Sequence, residues 1–252
     1  MPLGFIGTGT MAAAMVEGLA GDDILLSPRG AVLATELARR FPKVRVAASN
    51  QAVVDACDTI VLSVRPQVAG EVIRPLRFRQ GQRIISVIAA TQIETLRDWI
   101  GLDLPIIRAV PLPFVADRSC VTPIFPPDAE VATLFDRLGT AVPCQTIAEF
   151  DLLAVGSALM GSYFGILETA QDWLSTQGLS DSAGRTYLAG LFANLGKVAA
   201  ESPASFAALR AEYSTRGGLN EQIFREFVGG GGTSALTSAL DGVLARVRGQ
   251  AG

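Results

Sequence analysis

Short apolar runs alternate with amphipathic stretches along the first 147 residues. The apolar runs predict strands at residues 3–6, 24–26, 44–47, 59–64, 83–87, 105–110, 119–124 and 141–144. Apolar positions at helical spacing predict intervening helices, such as those at residues 31–40, 52–56, 69–76, 93–100 and 129–138. Such alternation requires crossover connections, so it predicts a largely parallel sheet with helices on both faces.

The second part of the chain has a different pattern, because strand-like runs disappear after residue 149. It predicts helices at residues 148–176, 180–200, 205–212, 220–226 and 234–248, with glycine and proline breaks between them. The longest nearly apolar run, residues 152–167, is too short to cross a bilayer and indicates a buried helix. We therefore predict two domains, an α/β domain at residues 1–147 and an all-helical domain at residues 148–252.

The first strand runs directly into a G-x-G-x-x-A turn, Gly7-Thr8-Gly9-Thr10-Met11-Ala12. Gly7 permits the tight turn, Gly9 lets the backbone approach a pyrophosphate, and Ala12 lets the next helix pack close to the strand. The amino end of that helix then faces the phosphates. This order predicts a Rossmann-type, doubly wound parallel sheet that binds a dinucleotide. Because the turn lies so near residue 1, we expect no targeting segment and a cytoplasmic protein.

The end of the second strand indicates which dinucleotide is bound. NAD-binding domains carry a carboxylate there for the ribose hydroxyls, whereas this chain has Ser27-Pro28-Arg29. A hydroxyl and a guanidinium suit a 2′-phosphate, which predicts NADP. The alternative is that Arg29 is an ordinary solvated loop arginine.

Composition excludes several chemistries. The 252 residues contain no histidine, which rules out Ser-His-Asp and Cys-His nucleophiles and nearly all zinc sites, and we expect no metal. Three scattered cysteines without a C-x-x-C pair fit reduced thiols. A net charge of −3 with 18% charged residues provides no basic patch for nucleic acid or membrane, and neither partner is expected.

Several further segments carry a resemblance that extends over the whole chain. They are Asn50, Val64-Arg65-Pro66-Gln67, Ile85-Ser86-Val87-Ile88-Ala89-Ala90 and Arg108-Ala109-Val110-Pro111-Leu112-Pro113. With the glycine turn, these segments resemble the pyrroline-5-carboxylate reductase family. The resemblance implies an NADPH-dependent oxidoreductase of proline biosynthesis that reduces the C=N bond of a small cyclic imine acid. It also implies a homodimer interleaved through the C-terminal helices.

Small residues and prolines follow three successive strands of the predicted sheet, at Pro66, Ala89-Ala90 and Pro111. They leave the backbone accessible to a flat nicotinamide ring. For each segment taken alone, the alternative is that these residues only terminate a strand. The predicted cofactor-binding residues are Gly7, Thr8, Gly9, Thr10, Met11, Ser27, Pro28, Arg29, Asn50, Val64, Arg65, Pro66, Gln67, Ala89, Ala90 and Pro111.

The departures from the family lie on the substrate side. The family's P-N-T is Pro111-Leu112-Pro113 here, and its S-P-G-G-T-T loop is Thr215-Arg216-Gly217-Gly218-Leu219-Asn220. The paired glycines and the following helix can still bind an anion, and we expect Arg216 to pair with the substrate carboxylate. Leu112 and Leu219 make the predicted ring pocket more apolar. Leu112, Arg216, Gly217, Gly218, Leu219 and Asn220 are the predicted substrate-binding residues.

A site without histidine fits an imine better than a ketone, because a protonated C=N bond is already an electrophile. Thr215 and Tyr163 are the catalytic candidates, with packing in an apolar helix as the alternative for Tyr163.

Two other functions compete within this architecture. A β-hydroxyacid dehydrogenase is one, although Asn194 and Lys197 occur in the wrong order for that class. A non-catalytic NADP-binding paralogue is the other.

Overall fold

The computed structural model describes residues 1–249 and divides into two compact units. The first unit comprises Met1–Ser157 and the segment from Arg246 onward, and the second comprises Ala158–Ala245. The strands of the first unit are β1 (Leu3–Ile6), β2 (Ile24–Leu26), β3 (Val44–Val46), β4 (Thr59–Leu62), β5 (Arg83–Ser86), β6 (Ile106–Ala109), β7 (Cys120–Phe125) and β8 (Gly139–Pro143). Its helices are α1 (Thr10–Gly18), α2 (Ala31–Arg40), α3 (Asn50–Ala56), α4 (Pro66–Ile73), α5 (Ile93–Ile100), α6 (Ala129–Asp136) and α7 (Ile147–Ser157), with a 3₁₀ turn at Pro113–Val115.

All eight strands form a single sheet in the order β3-β2-β1-β4-β5-β6-β7-β8. The strands β1 to β6 run parallel, whereas β7 pairs antiparallel with β6 and β8 pairs parallel with β7. The order 3-2-1-4-5-6 is that of a doubly wound dinucleotide-binding sheet, and the strand order reverses between β1 and β4. The predicted fold class is confirmed, and the structure adds two reversed strands at one edge.

The sheet separates two hydrophobic cores, as strand geometry requires when both faces are covered by helices. Along β1, Phe5 faces one core and Ile6 the other. The helices α1, α2 and α6 cover the Phe5 side, and α3, α4 and α5 cover the Ile6 side. The loops at the carboxyl ends of the parallel strands are consequently held by a rigid scaffold.

The boundary between the units lies beyond the predicted division at residue 147. The helix α7 belongs to the first unit, where Phe150, Asp151 and Val155 are buried. The apolar pattern of this helix continues into the next one, so the boundary between the units has no signal in the hydrophobic pattern.

The end of the last helix, α12, also belongs to the first unit. It is held there by two consecutive hydrogen bonds that link Arg108, Gln92 and Val247, which we call the arginine relay. Arg108 on β6 is only 4% exposed. Its Nη1 donates to Gln92 Oε1 at 2.9 Å, and Gln92 Nε2 donates to the Val247 carbonyl at 3.1 Å. The guanidinium lies 4.7 Å from the centre of the Phe150 ring. Burial lowers the pKa of Arg108, and the Asp151 carboxylate acts in the opposite direction.

The second unit is entirely helical, as predicted. Its helices are α8 (Leu159–Thr176), α9 (Asp181–Glu201), α10 (Phe206–Glu212), α11 (Leu219–Gly229) and α12 (Gly232–Val247), whose last residues return to the first unit.

The prediction of a buried helix at residues 152–167 is wrong for the single chain. A turn at Ala158 divides this run between α7 and α8, and α8 has no buried residue. Phe164 is 64% exposed, for example, and Leu152 is 55% exposed. The reason is that α8 packs against α9 and leaves its remaining apolar surface without a covering element. By length and composition alone, the stretch Ile147–Thr176 could cross a membrane.

Candidate functional site

The glycine turn after β1 is held in shape by a hydrogen bond from the end of β2. Gly7 has a φ of +95°, a conformation that favours glycine, and a side chain there would collide with the Ser63 carbonyl. The Gly7 N–H donates to Ser27 Oγ at 2.8 Å. A tight turn is therefore present at Gly7, between β1 and α1, and it lies against the residues that follow β4.

The amino end of α1 is open toward solvent. Gly9 is the N-cap residue and no side chain caps the helix. The first intrahelical hydrogen bond runs from the Ala13 N–H to the Gly9 carbonyl at 2.9 Å, so the N–H groups of the preceding helical residues lack intrahelical acceptors. A Cβ added to Gly9 would meet nothing within 4 Å. An anion can thus approach the backbone and the positive end of the helix, which is the arrangement a pyrophosphate requires.

Ser27, which the sequence predicts to contact the 2′-phosphate, lies beside this turn, directly after β2. Its side chain is fully buried, and its hydroxyl accepts the hydrogen bond from Gly7. Thr8 Oγ1 in turn donates to the Ser27 carbonyl at 3.0 Å. Because β2 pairs with β1 in this register, the Ser27 hydroxyl points toward the turn, and its contact with a 2′-phosphate stays a prediction.

Arg29 lies just beyond Ser27 and is exposed. Within residues 1–249, its guanidinium forms no ion pair. Gly30, which the sequence analysis did not select, has a φ of +91° and lies against the Thr8 carbonyl. A glycine directly before a predicted helix is the feature of the sequence that could have identified Gly30 as part of the site. Arg29 therefore follows β2 as an exposed cation, next to the glycine that contacts the turn.

The residues after β4 form the next part of the same sheet edge. Pro66 is the first residue of α4, and Arg65 is its N-cap residue. Arg65, Pro66 and Gln67 are exposed, and Val64 is half-buried against Gly7. Asn50 is half-buried in the first turn of α3. These predicted cofactor residues therefore follow β3 and β4 at the edge that carries the glycine turn.

The segments after β5 and β6 differ in accessibility. Ala89 and Ala90 are exposed, and Ala90 has a φ of +50°, which is strained for a residue with a Cβ. Pro111 is buried, and Leu112 is half-buried with its N–H directed to Cys120 Sγ at 3.2 Å. Accessible backbone is consequently provided by Ala89 and Ala90 and not by the Pro111 side.

The predicted substrate loop lies in the second unit, before α11. Gly217 has a φ of +73°, and its N–H donates to Glu221 Oε2 at 2.6 Å. The Gly218 N–H donates to the Thr215 carbonyl at 2.8 Å. The Asn220 side chain donates to the Tyr213 carbonyl at 2.8 Å, so it braces the loop.

Arg216 and Leu219 project outward from the same loop. Arg216 is exposed and has no ion-pair partner within residues 1–249. Leu219 is 83% exposed, so its side chain makes little contact within the single chain. The exposed surface of this loop therefore carries one guanidinium group and one apolar side chain.

Tyr163 packs within an aromatic cluster of the second unit. Its ring makes edge-to-face contacts with Phe164 at 5.1 Å and Phe192 at 5.7 Å between centroids. It is 41% exposed, which leaves part of the ring accessible. Lys197 is exposed and lies 3.9 Å from Glu201. These contacts support the packing interpretation of Tyr163 within the single chain.

Acidic and sulfur ligands do not gather anywhere in residues 1–249 into a group of three that could hold a metal ion. The three cysteines are buried and unpaired. Burial raises the pKa of the Cys57 thiol to about 11, and burial also raises that of Cys144. The raised pKa keeps the thiols of Cys57 and Cys144 protonated at neutral pH, which makes them poor nucleophiles.

Comparisons with known proteins agree with this architecture. Residues 2–90 match a family model described as NADP oxidoreductase coenzyme F420-dependent. A pyrroline-5-carboxylate reductase of Pseudomonas aeruginosa is 26% identical over 97% of this chain and 94% of the relative. The structure of 1-pyrroline-5-carboxylate reductase from Streptococcus pyogenes superposes with a TM-score of 0.85 at 22% identity, covering 99% of this chain and 98% of that one.

A second solved structure is the pyrroline carboxylate reductase of Plasmodium falciparum with NADP bound. Its TM-score is 0.84 at 16% identity, and the match covers 100% of this chain and 98% of that one. These structural matches support the fold, and the match to the Pseudomonas relative extends across both units. Over its whole length the chain is similar to pyrroline-5-carboxylate reductases, which confirms the family resemblance carried by its sequence motifs.

Proposed function

We propose that the protein is an NADPH-dependent reductase that transfers a hydride to the C=N bond of a small cyclic imine acid. The observation that carries this proposal is the open phosphate turn at Gly7 to Ala12, in a chain similar over its full length to pyrroline-5-carboxylate reductases. The turn lies where the strand order reverses, at which open α/β sheets bind their ligands.

The residues at the sheet edge fit NADP. The uncapped amino end of α1 suits the pyrophosphate, and the open space at Gly9 allows the necessary close approach. The second strand ends without a carboxylate, and the exposed Arg29 suits a 2′-phosphate. The Plasmodium falciparum neighbour, which has NADP bound, supports the same assignment.

When bound, NADPH supplies the hydride at C4 of its nicotinamide ring. This chain's residues bind and orient the reactants. In the proposal, backbone at Ala89, Ala90 and Arg65 positions the ring at the edge of the sheet. Holding the reacting carbons roughly 3 to 3.5 Å apart accounts for much of the rate in such transfers. A protonated imine needs no strong acid to activate it, which is compatible with a chain that lacks histidine.

In this proposal, the loop from Thr215 to Asn220 recognises the substrate. Arg216 pairs with the carboxylate through its planar, bidentate donors. Thr215 and Tyr163 are the candidates for holding a proton near the imine nitrogen. The Tyr163 ring packs against Phe164 and Phe192, whereas Thr215 belongs to the proposed substrate loop itself, so we favour Thr215.

We further propose that the protein is a homodimer and that a second copy covers the helices of the second unit. The helices α8, α10, α11 and α12 bury no residue within the single chain. Trp173, Tyr187 and Ile223 are each more than 60% exposed. Carboxylates and an arginine line the cleft of about 590 Å³ along α8 and α9, and this mixture suits a protein partner better than lipid. A monomer by light scattering at micromolar concentration, in buffer without detergent, would contradict this proposal.

The decisive experiment is turnover of NADPH with pyrroline-5-carboxylate, followed by loss of NADPH absorbance. Gly9→Asp is the matched control, because its side chain enters open space while its carboxylate repels the phosphates. We expect activity in the wild type and none in this variant. Turnover of β-hydroxyacids with no imine reduction would favour a β-hydroxyacid dehydrogenase. Tight NADPH binding without any turnover would favour a non-catalytic paralogue.

A further inference from the structure

The loop before α11 already holds a carboxylate of its own. The Glu221 side chain turns back from the first turn of the helix, and its Oε2 accepts the Gly217 N–H at 2.6 Å. This is a short, charge-assisted hydrogen bond. Gly217 can direct its N–H in this way because its φ is +73°. The geometry therefore demonstrates that this backbone donor accommodates a carboxylate oxygen.

We infer that Glu221 is a specificity-determining residue that competes with the carboxylate of the substrate for this loop. The inference rests on the proposed function, which assigns the loop to substrate recognition. The Gly218 N–H is already bonded to the Thr215 carbonyl, so of the two glycine N–H groups only that of Gly217 is directed to a carboxylate. An incoming carboxylate must displace Glu221 from it or bind beside it.

An ordinary helix cap does not account fully for this arrangement. A glutamate in the first turn of a helix commonly reaches back to the N–H of the N-cap residue. Here the N-cap residue is Gly218, and Glu221 passes it to reach Gly217. The hydrogen bond thus lies in the turn itself, where the substrate acid is proposed to bind.

Charge makes the competition selective. Two carboxylates a few ångströms apart at a protein surface repel each other with an energy that corresponds to roughly tenfold in affinity. The exposed Arg216 guanidinium offsets part of this repulsion. A cyclic imine without an acid group experiences none of it, so Glu221 shifts preference away from carboxylate-bearing rings.

The experiment compares Glu221→Gln with the wild type and with Glu226→Gln as a matched control. Glu221→Gln keeps an oxygen that can accept the Gly217 hydrogen bond and removes the charge. Glu226 is on the same helix, accepts from Gln222 Nε2 at 2.9 Å, and loses the same charge away from the loop. Glu221→Ala is a second variant that removes both charge and acceptor. Circular dichroism verifies that each variant folds.

Binding is measured by calorimetry on protein saturated with NADP⁺, with proline as the acid probe and pyrrolidine as the probe without an acid. We expect Glu221→Gln and Glu221→Ala to bind proline about tenfold more tightly than the wild type, and to bind pyrrolidine, which is a cation at neutral pH, no more tightly. Glu226→Gln should change neither. In turnover, the ratio of kcat/KM for pyrroline-5-carboxylate to that for 2-methyl-1-pyrroline should rise about tenfold through KM.

Three results would overturn the inference: unchanged proline affinity in both Glu221 variants, an equal gain for pyrrolidine, or no proline binding by any variant. Failure of the proposed function looks different. In that case no imine is reduced by the wild type or the variants, while the charge-dependent gain in proline affinity remains.

Discussion

Ser27 and Arg29 are two residues apart, yet we propose different tasks for them, and paired alanine variants can separate these. Ser27 is fully buried and its hydroxyl holds the Gly7 N–H. Arg29 is exposed and free of ion pairs within the described residues 1–249. Ser27→Ala should therefore lower stability and weaken both cofactors, and Arg29→Ala should weaken NADPH alone.

The magnitudes follow from these contacts. Removing the Ser27 hydroxyl leaves a partly buried N–H without an acceptor, which costs about 1 to 3 kcal/mol in the free energy of unfolding. A charge-assisted contact between Arg29 and a phosphate contributes about 1.5 to 3 kcal/mol. Because Arg29 is exposed, we expect the lower part of this range, which is about a tenfold loss of NADPH affinity.

Two measurements test the pair. Urea unfolding should show a lower midpoint for Ser27→Ala and an unchanged midpoint for Arg29→Ala. Titration with NADPH and NADH should show similar losses for both cofactors in Ser27→Ala and a loss confined to NADPH in Arg29→Ala. Equal losses for NADPH and NADH in Arg29→Ala would refute the assignment of Arg29 to the 2′-phosphate. Loss of NADPH preference in Ser27→Ala without destabilisation would refute the structural role of Ser27.

Three other predictions concern single residues. Arg216→Ala should raise KM for the imine acid about tenfold, equivalent to about 1.4 kcal/mol, and an unchanged KM in steady-state kinetics would contradict the proposed carboxylate contact. Ala90→Gly should raise the free energy of unfolding by about 0.5 to 1 kcal/mol in urea titrations, because glycine relieves the strain at a φ of +50°; a less stable variant would show that the Ala90 side chain is needed. Since burial raises the pKa of the Cys57 thiol to about 11, it should resist alkylation in the native protein up to about pH 10 and react readily in denaturant. Rapid labelling of the Cys57 peptide in native protein at pH 8, seen by mass spectrometry, would contradict this.

The glycine turn was predictable because its determinants are local. Gly7, Gly9 and Ala12 are dictated by backbone conformation and by close packing within one strand-turn-helix unit. The alternating pattern likewise predicted the strands of the parallel sheet, since hydrophobic periodicity reports burial directly. The direction of β7 was not accessible in this way, because pairing direction depends on contacts between segments.

Features that the sequence could not predict involve side chains whose surroundings come from distant parts of the chain. The sequence shows a serine at the end of β2, but only the register of β1 against β2 directs its hydroxyl to Gly7. The apolar run at residues 152–167 indicates burial, but the sequence pattern does not say whether the same chain or another copy covers it. The bond between Glu221 and Gly217 depends on the left-handed conformation of one glycine, for which the sequence pattern offers only the paired glycines.

The arginine relay from Arg108 through Gln92 to Val247 has a practical consequence for expressing parts of this protein separately. Residues 1–157 contain every strand, but the carbonyl that receives the Gln92 amide belongs to Val247. The second unit is thus an insertion between two parts of the first. A chain shortened at residue 157 would lose the acceptor at the end of the relay that buries Arg108, so the nucleotide-binding unit should be less stable when expressed alone. An internal deletion that joins residue 157 to residue 246 through a short linker retains that partner and is the better starting point for isolating this unit.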